Sequence, residues 1–473
     1  MQVLSTEERE RVHEHTLALL EKKGMRVDAA EGRRLMAEAG ALVDDTTHVV
    51  RFPTAFVEEM LARTTKRFSL GGRRPGFSLP MNAGETALLV DGPTGQILDH
   101  RTGVRRDATA DDMAEALRLI DAIDDIGLSW DMVDAGIDYS TPSGAMTMLQ
   151  IHAANYSKHE QDSFGDPALA RWKLEALEIL HGGRENIRAN HPYSFLLTPT
   201  SPLVIEEHYT ESWLALRGYD IPVAVMPMPL MGATAPGSMI STIVQVNAEV
   251  VGTLCLVQAA EPGTPFIYAP VLAAMDPRSG RLHGGGIEHA VMAVAGIEMA
   301  RYYGVPVLAS GCGTHTYATG VQTAYEKTST AIMPMLAAPD IFVGPGSLGG
   351  ATFFSYEQLV IDVEILRICA KAQRGIATDD DLWLQDVLER VEPAGNFLKE
   401  SSTRKNVRGG EWYISDLDMH DSAEVWEAAG RPDVMDNARA KVDRLLAEHR
   451  PVPLDDDVVK ELRKLQKKAD AAS

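Results

Sequence analysis

FLLTPTSP (Phe195 to Pro202), IPVAVMPMP (Ile221 to Pro229), TPFIYAP (Thr264 to Pro270), VPVLASGCG (Val305 to Gly313) and DIFVGPG (Asp340 to Gly346) are variations on one segment. Each is a short apolar, β-rich run that ends in small residues and prolines and leads into a helical stretch. Such runs suit strands buried on both faces, as parallel strands are. Their starts lie roughly 26 to 43 residues apart, the length that a strand, a helix and two loops require. A series of these units predicts an α/β protein built on a TIM (β/α)8 barrel, with its site where the Gly/Pro/Ser-rich strand ends converge.

Working outward, DIGLSWDMV (Asp125 to Val133) reads as the first barrel strand and QDSFGDP (Gln161 to Pro167) as a short second one. That gives seven strands, and the weak run RGIATD around Ile376 is the candidate for the eighth. Residues 1–105 read as a small α+β N-terminal region. It has three helices, then short strands and turns from Phe68 to Val104 in which Asp-Gly and Thr-Gly pairs are hairpin signals. The barrel is expected over 106–435. A C-terminal helical tail follows over 436–473, broken at Pro451 and Pro453.

The chain has 473 residues, with 45 basic against 67 acidic side chains and a formal charge of −22. That balance disfavours nucleic acid and anionic membrane surfaces, which need basic patches. The three cysteines, Cys255, Cys312 and Cys369, are far apart and fit a reducing compartment. The charged N-terminus lacks the apolar core of a signal peptide, and no stretch reads as an uninterrupted membrane span. A cytoplasmic protein is expected, as a homo-oligomer of the kind common among barrel enzymes.

Three groups of polar residues fall at expected strand ends. Gln245, Asn247 and Glu249 lie on the helix after the second of the five runs. Their bland role is internal hydrogen bonding, since buried polar groups need partners in any case. His315 follows the fourth run, with Gln322, Tyr325 and Glu326 beyond it. A histidine just past a barrel strand is a candidate for the pocket wall, and packing is its alternative. Gly344, Gly346 and Gly349 match GxGxxG after a strand and could cradle a phosphate; tight loop packing is the plainer account. HExxH, GxSxG and CxxC are absent, and no ligand spacing for a metal is found. Aromatic residues recur near the expected mouth: Trp130, Phe164, Tyr268, Tyr317, Phe353, Phe354 and Tyr356. Most of such a set is core, but a few converging faces would suit a quaternary ammonium ion.

MGATAPGSMISTIVQVNAEVVGTLCLVQAAEPGTPFIY (Met231 to Tyr268) resembles the signature of the trimethylamine methyltransferase family. VQTAYEKT, FFSYEQLVIDVEI and VWEAAG (Val425 to Gly430) resemble its later motifs, in order. The resemblance implies a TIM barrel and methyl transfer from a methylated amine to the Co(I) of a cobalamin-type corrinoid carried by a separate, cognate corrinoid protein. It implies no tightly bound metal in this chain. Archaeal trimethylamine enzymes of the family carry pyrrolysine in the barrel. This chain has none and reads Gly311-Cys312-Gly313-Thr314-His315 after the fourth run. It therefore resembles the non-pyrrolysine branch, which implies a quaternary amine such as glycine betaine as substrate. Such a reaction needs positioning rather than a covalent or acid residue, so no catalytic side chain is assigned. Glu249, His315, Gln322, Tyr325 and Tyr356, with Asn247 next, are the expected substrate-binding residues, and Tyr356 is the expected cage wall. His315 and the amides of Gly346 to Gly350 are the candidates to meet a betaine carboxylate. One departure stands out: Ser402 occupies the place of a histidine usual in the family. The alternatives are a metal- or phosphate-using lyase or hydrolase on the same barrel, and a betaine-binding barrel without transfer.

Overall fold

A computed structural model describes all 473 residues. Its centre is a ring of eight strands: β1 (Ala87–Leu89), β2 (Ile126–Ser129), β3 (His159–Asp162), β4 (Tyr193–Leu197), β5 (Val223–Val225), β6 (Phe266–Tyr268), β7 (Leu308–Ser310) and β8 (Ile341–Val343). All neighbours pair in parallel and in chain order, with β1 between β8 and β2. A bridge between Tyr268 and Val307 joins β6 to β7, with the Tyr268 amide 2.9 Å from the Pro306 carbonyl. The expected α/β barrel is what the chain forms.

The eighth strand is not near Ile376, which lies in irregular chain after the last barrel helix. It is β1, so the barrel takes one strand from within 1–105, the stretch read as a separate region. The reason is local: Ala87-Leu-Leu is short and is followed by Asp91-Gly92, which reads as a turn. In the structure that pair forms the loop at the end of β1. Strand β3 likewise sits at His159–Asp162, just before most of the QDSFGDP run.

Alternation sets the two faces of the ring. Leu89, Leu128, Ala224, Ile267, Leu308 and Ile341 fill the interior. Phe195, Val223, Val225, Phe266 and Ala309 face the helices. On β3 the inward residues are polar and mutually satisfied. His159 Nε2 lies 2.8 Å from Ser194 Oγ, which also accepts from Gln161, and the Trp130 indole donates to Gln161 at 2.9 Å. A hairpin (Ser69–Gly71 with Ser78–Pro80) plugs the end where the strands begin, inserting Leu70 and Met81 into the interior cluster. It is tied to the residues that precede β3, β4 and β8 by Arg74 to the Ser157 carbonyl, Gly71 to the His191 carbonyl and Asn82 to Asp340. One end of the barrel is thereby closed, and the site must lie at the other.

Helix Met239–Ala260 is long and apolar enough to cross a membrane by length and composition, yet 78% of its most apolar window is buried. It packs between the strands and helix Thr6–Lys22, whose start is fixed by a Ser5/Glu8 capping box. The tail forms helices Val434–Glu448 and Asp456–Asp470, which pack back on the barrel helices and part at Pro451 and Pro453.

The glycine-rich loop after β8 shows how tightly the open end is built. Gly344 has φ +143, and an added Cβ would sit 1.8 Å from the Gly311 carbonyl oxygen. Gly76, at φ +74 on the plug hairpin, would meet nothing within 4 Å. Gly76→Ala should therefore cost about 1 kcal/mol, the backbone term alone. Gly344→Ala should cost at least about 3 kcal/mol, because backbone must also move. Urea unfolding of both variants checks this, and equal losses would contradict the packing account.

Candidate functional site

The open end is formed by the loops after the eight strands, and one buried ion pair organises those after β1, β7 and β8. Lys327, on helix Val321–Leu336, and Asp362, on helix Tyr356–Arg374, are both 0% exposed, with Nζ 2.8 Å from Oδ2. Lys327 also donates to the Cys312 carbonyl at 2.8 Å, holding a residue with φ +51. Asp362 accepts from the Gly346 amide and from Gln358, each at 2.8 Å. Asp91, after β1, accepts from Ser347 at 2.6 Å. Burial pushes the Asp362 carboxyl up despite Lys327 and its other donors, and Asp91 moves up for the same first reason.

This arrangement answers the phosphate reading of GxGxxG. The Gly346 amide is taken by Asp362, that of Gly349 by the Thr316 carbonyl and that of Gly350 by the Thr314 carbonyl. These amides serve the loops and are not free to receive a phosphate or a betaine carboxylate.

On its other side the same helix presents Glu326 to the loop after β7. Its carboxylate accepts from the Thr314 hydroxyl (2.6 Å), the His315 amide (3.0 Å) and Gln322 (2.6 Å). Burial opposes ionisation, but those hydrogen bonds and the nearby His283 outweigh it and hold Glu326 below the ordinary range. No Lys, Arg or His side chain pairs with it. Gly285 packs on this carboxylate, where a Cβ would lie 2.7 Å from Oε2. It brings in His283, whose ring lies 6.3 Å from that of His315 in a T-shaped approach. His315 Nδ1 is buried without a hydrogen-bond partner. A step away, His289 Nε2 lies 2.8 Å from Ser310 Oγ at the end of β7, and burial lowers its pKa.

Of the six expected binding residues, the structure brings His315 and Gln322 together around Glu326. Tyr325 shares their helix and is largely exposed. The other three lie in the helix layer outside the strands. Glu249 accepts from Ser201 (2.7 Å), the Leu203 amide (3.0 Å) and Gln245 (3.0 Å), anchoring the loop after β4. Asn247 donates to Thr16 and Tyr303 and accepts from the Tyr268 hydroxyl. Tyr356 is buried, donates to the Asp112 carbonyl at 3.1 Å and stacks near His100 and Phe354. The cage-wall expectation for it meets a side chain enclosed by the neighbouring helix Ala110–Ala122, with its hydroxyl already taken. Tyr268, Phe353 and Phe354 are likewise buried. Phe164 packs edge-on against Phe195. Within the aromatic set, Trp130 and Phe164 are half-buried and Tyr317 is exposed.

Sequence reading missed His283, His289, Asp131 and the Lys327–Asp362 pair. Asp131 follows Trp130 at the end of β2. Burial, then the Asp162 and Glu160 carboxylates, push it up to about 8. Lys327 and Asp362 sit in helical patterns whose charges read as solvated faces. Only their helix phase relative to Glu326 and Gln358 could have marked them. No group of three or more His, Cys, Asp or Glu side chains is placed to hold a metal.

The profile of the trimethylamine methyltransferase (MTTB) family matches residues 1–472. Trimethylamine methyltransferase of Methanosarcina barkeri is 29% identical over 483 aligned positions, covering 100% of this chain and 96% of that protein. Glycine betaine methyltransferase of Desulfitobacterium hafniense is 27% identical, covering 96% of this chain and 94% of that protein. A crystal structure of Methanosarcina barkeri monomethylamine methyltransferase matches over 93% of this chain and 92% of its own, with a TM-score of 0.47 and 12% identity. The chain belongs to the trimethylamine methyltransferase family, and it is a methyltransferase acting on a methylated amine.

Lys327→Met tests the ion pair. A carboxyl raised on folding makes the protein less stable as pH climbs above its unfolded value near 4. Removing Lys327 pushes Asp362 further up and widens that window. Stability should fall by about 3–5 kcal/mol at pH 8 and by clearly less at pH 5, where Asp362 can hold a proton. Chemical denaturation at the two pH values measures it, and an equal loss at both would show that Asp362 is not the group left uncompensated.

Proposed function

We propose that this member of the family transfers a methyl group from a quaternary amine with a carboxylate, such as glycine betaine, to the Co(I) of a corrinoid carried by a separate protein. The observation that carries this reading is Glu326: an ionised carboxylate at the mouth with three hydrogen-bond donors and no cation paired to it. Unpaired buried charge is costly, and a cationic ligand would compensate it. A fixed positive nitrogen is the defining feature of a quaternary amine.

The reaction asks little acid–base chemistry of the protein. The carbon–nitrogen bond breaks with its electron pair staying on nitrogen, which leaves as a neutral tertiary amine, while Co(I) supplies the pair for the new bond to carbon. The chain must hold one methyl in line and keep water away. In this reading Glu326 draws the ammonium into the mouth, and the faces of Trp130 and Tyr317 receive its methyl groups. His315 Nδ1 is the buried polar atom left over, and it meets the substrate carboxylate. The Lys327–Asp362 pair fixes the loop that carries His315. Ordinary side chains occupy the loop where some relatives carry pyrrolysine, and a quaternary amine needs no such group to activate nitrogen.

The test is loss of Co(I) absorbance when the protein is mixed anaerobically with reduced cobalamin and a panel of amines. Methylation with glycine betaine is expected, and methylation with trimethylamine alone would overturn the proposal. Glu326→Gln should lower kcat/KM at least tenfold with every quaternary amine. His315→Ala should lower it at least tenfold for glycine betaine and little for tetramethylammonium, which has no carboxylate. Equal losses with both would remove His315 from carboxylate recognition.

A further inference from the structure

The segment between the last barrel helix and the tail has almost no core of its own. From Gly375 to Gly430 only Val387 and Leu417 are buried. The same segment leaves large apolar side chains in solvent: Ile376 (86% exposed), Leu398 (84%), Trp383 (67%), Ile414 (66%) and Trp412 (57%). These five are each more than half exposed, and a stable interface draws about 800 Å² from each partner, so they would supply a large part of one. Ordering such a segment costs about 1–2 kcal/mol per residue, and the burial within one chain does not offset it.

Charge along the arm is split. Asp379, Asp380 and Glu392 in its first half have no ion-pair partner, and neither do Lys399, Arg404 and Arg408 around helix Ser401–Arg408. Two contacts within the chain show that the halves attract: Lys405 to Asp381 at 2.8 Å and Arg390 to Glu400 at 2.5 Å. A surface with complementary halves is self-complementary under a two-fold axis.

Position narrows the occupant further. Helix Tyr356–Arg374 starts at the open end of the barrel and its 19 residues run about 28 Å toward the plugged end. Its later residues hold the returning arm, through Tyr413 to Glu364 and Lys371 to the Gly410 carbonyl. The arm therefore leaves the barrel at the end away from Glu326 and His315, where a methyl acceptor has no reason to bind.

We propose that residues 375–416 are the self-association surface of this protein, with the acidic half of the arm on one copy lying against the basic helix of a second copy. Apolar side chains between the charged runs are buried in the contact. Ser402, on that helix, belongs to this surface and not to the mouth of its own barrel.

Sedimentation velocity and light scattering on the full-length chain test the proposal. A dimer, or a larger closed oligomer built from it, is expected at micromolar concentration. Leu398→Asp combined with Trp412→Ser should raise the dissociation constant at least tenfold with far-ultraviolet circular dichroism unchanged. Because that pair could disturb the arm's own fold, charge reversal gives an independent reading. Arg404→Glu and Asp380→Lys should each weaken association, and mixing the two variants should restore it. A parent that stays monomeric throughout the micromolar range, or an oligomer unmoved by both sets of variants, would overturn the proposal. Binding of a corrinoid protein, and not of a second copy, through these residues would also overturn it.

Discussion

A fully buried lysine–aspartate pair is the constraint on which the open end of this barrel depends. Taking both charges out of water costs several kcal/mol per ion before their attraction is counted. An apolar pair of the same volume would often serve stability as well. What an apolar pair could not do is hydrogen-bond the backbone of two loops at once. Lys327 reaches the Cys312 carbonyl, and Asp362 takes the Gly346 amide and the Gln358 side chain. Cys312 and Gly344 both have positive φ, and Gly344 lies against the Gly311 carbonyl. Backbone in such conformations persists only when its surroundings over-determine it. The ion pair supplies that over-determination from two adjacent helices, so the loops after β7 and β8 are fixed relative to each other.

Helix geometry then separates two tasks that consecutive residues perform. Lys327 turns inward to its partner, while Glu326, one position earlier, faces the loop that carries Thr314 and His315. The first residue is charged so that the loops hold still. The second is charged with no ion-pair partner and lies buried beside the loop that carries His315. Burial acts on both, but with opposite results: Asp362 moves up against its lysine, and Glu326 stays low because three donors converge on it. The difference lies in depth: Asp362 is fully enclosed, so desolvation outweighs its three donors, whereas Glu326 is less deeply enclosed and its donors prevail. Asp362 answers to groups that must stay paired for the fold, whereas the donors on Glu326 hold it ionised without neutralising it.

The barrel was legible because its strands carry a repeated chemical pattern. Five of the eight were visible as apolar runs ending in Pro, Gly and other small residues, and two more were read at Asp125–Val133 and, displaced by a few residues, at Gln161–Pro167. β1 escaped because Ala87-Leu-Leu is too short to show a period and Asp91-Gly92 mimics a hairpin turn. The site was less legible, for a different reason. His315 was singled out because it follows a strand within a few residues, and Gln322 because it opens the helix that comes next. Glu249, Asn247 and Tyr356 follow strands as well, yet they face the helix layer, and linear distance from a strand end does not say which way a helix is turned. Glu249 is spent on the Ser201–Leu203 loop and Asn247 on three hydroxyls. His283 and His289 were missed because a long loop after β6 separates them from their strand: His283 sits on a small sheet (Ala273–Met275 and Leu282–His283, joined by Leu230–Met231 of the loop after β5), and His289 on the helix that follows.

The two ends of the barrel set opposite physical demands, and the chain divides its residues accordingly. At the plugged end the Leu70–Met81 hairpin seals the interior, so chemistry is confined to the other mouth. Surface near the plug is free to be apolar without trapping substrate, and there the arm after Arg374 places Ile376, Trp383 and Leu398 in solvent. At the mouth the same exposure would be harmful, because an apolar lining with no charge would not favour a quaternary ammonium ion over a neutral amine. The mouth instead keeps one ionised carboxylate and an unsatisfied imidazole nitrogen among loops that cannot shift. The proposed association surface and the mouth thus do not overlap, and helix Tyr356–Arg374 spans the distance between them. Its first half carries Asp362 for the loops at the mouth. Glu364, near its middle, and Lys371, near its end, hold the arm.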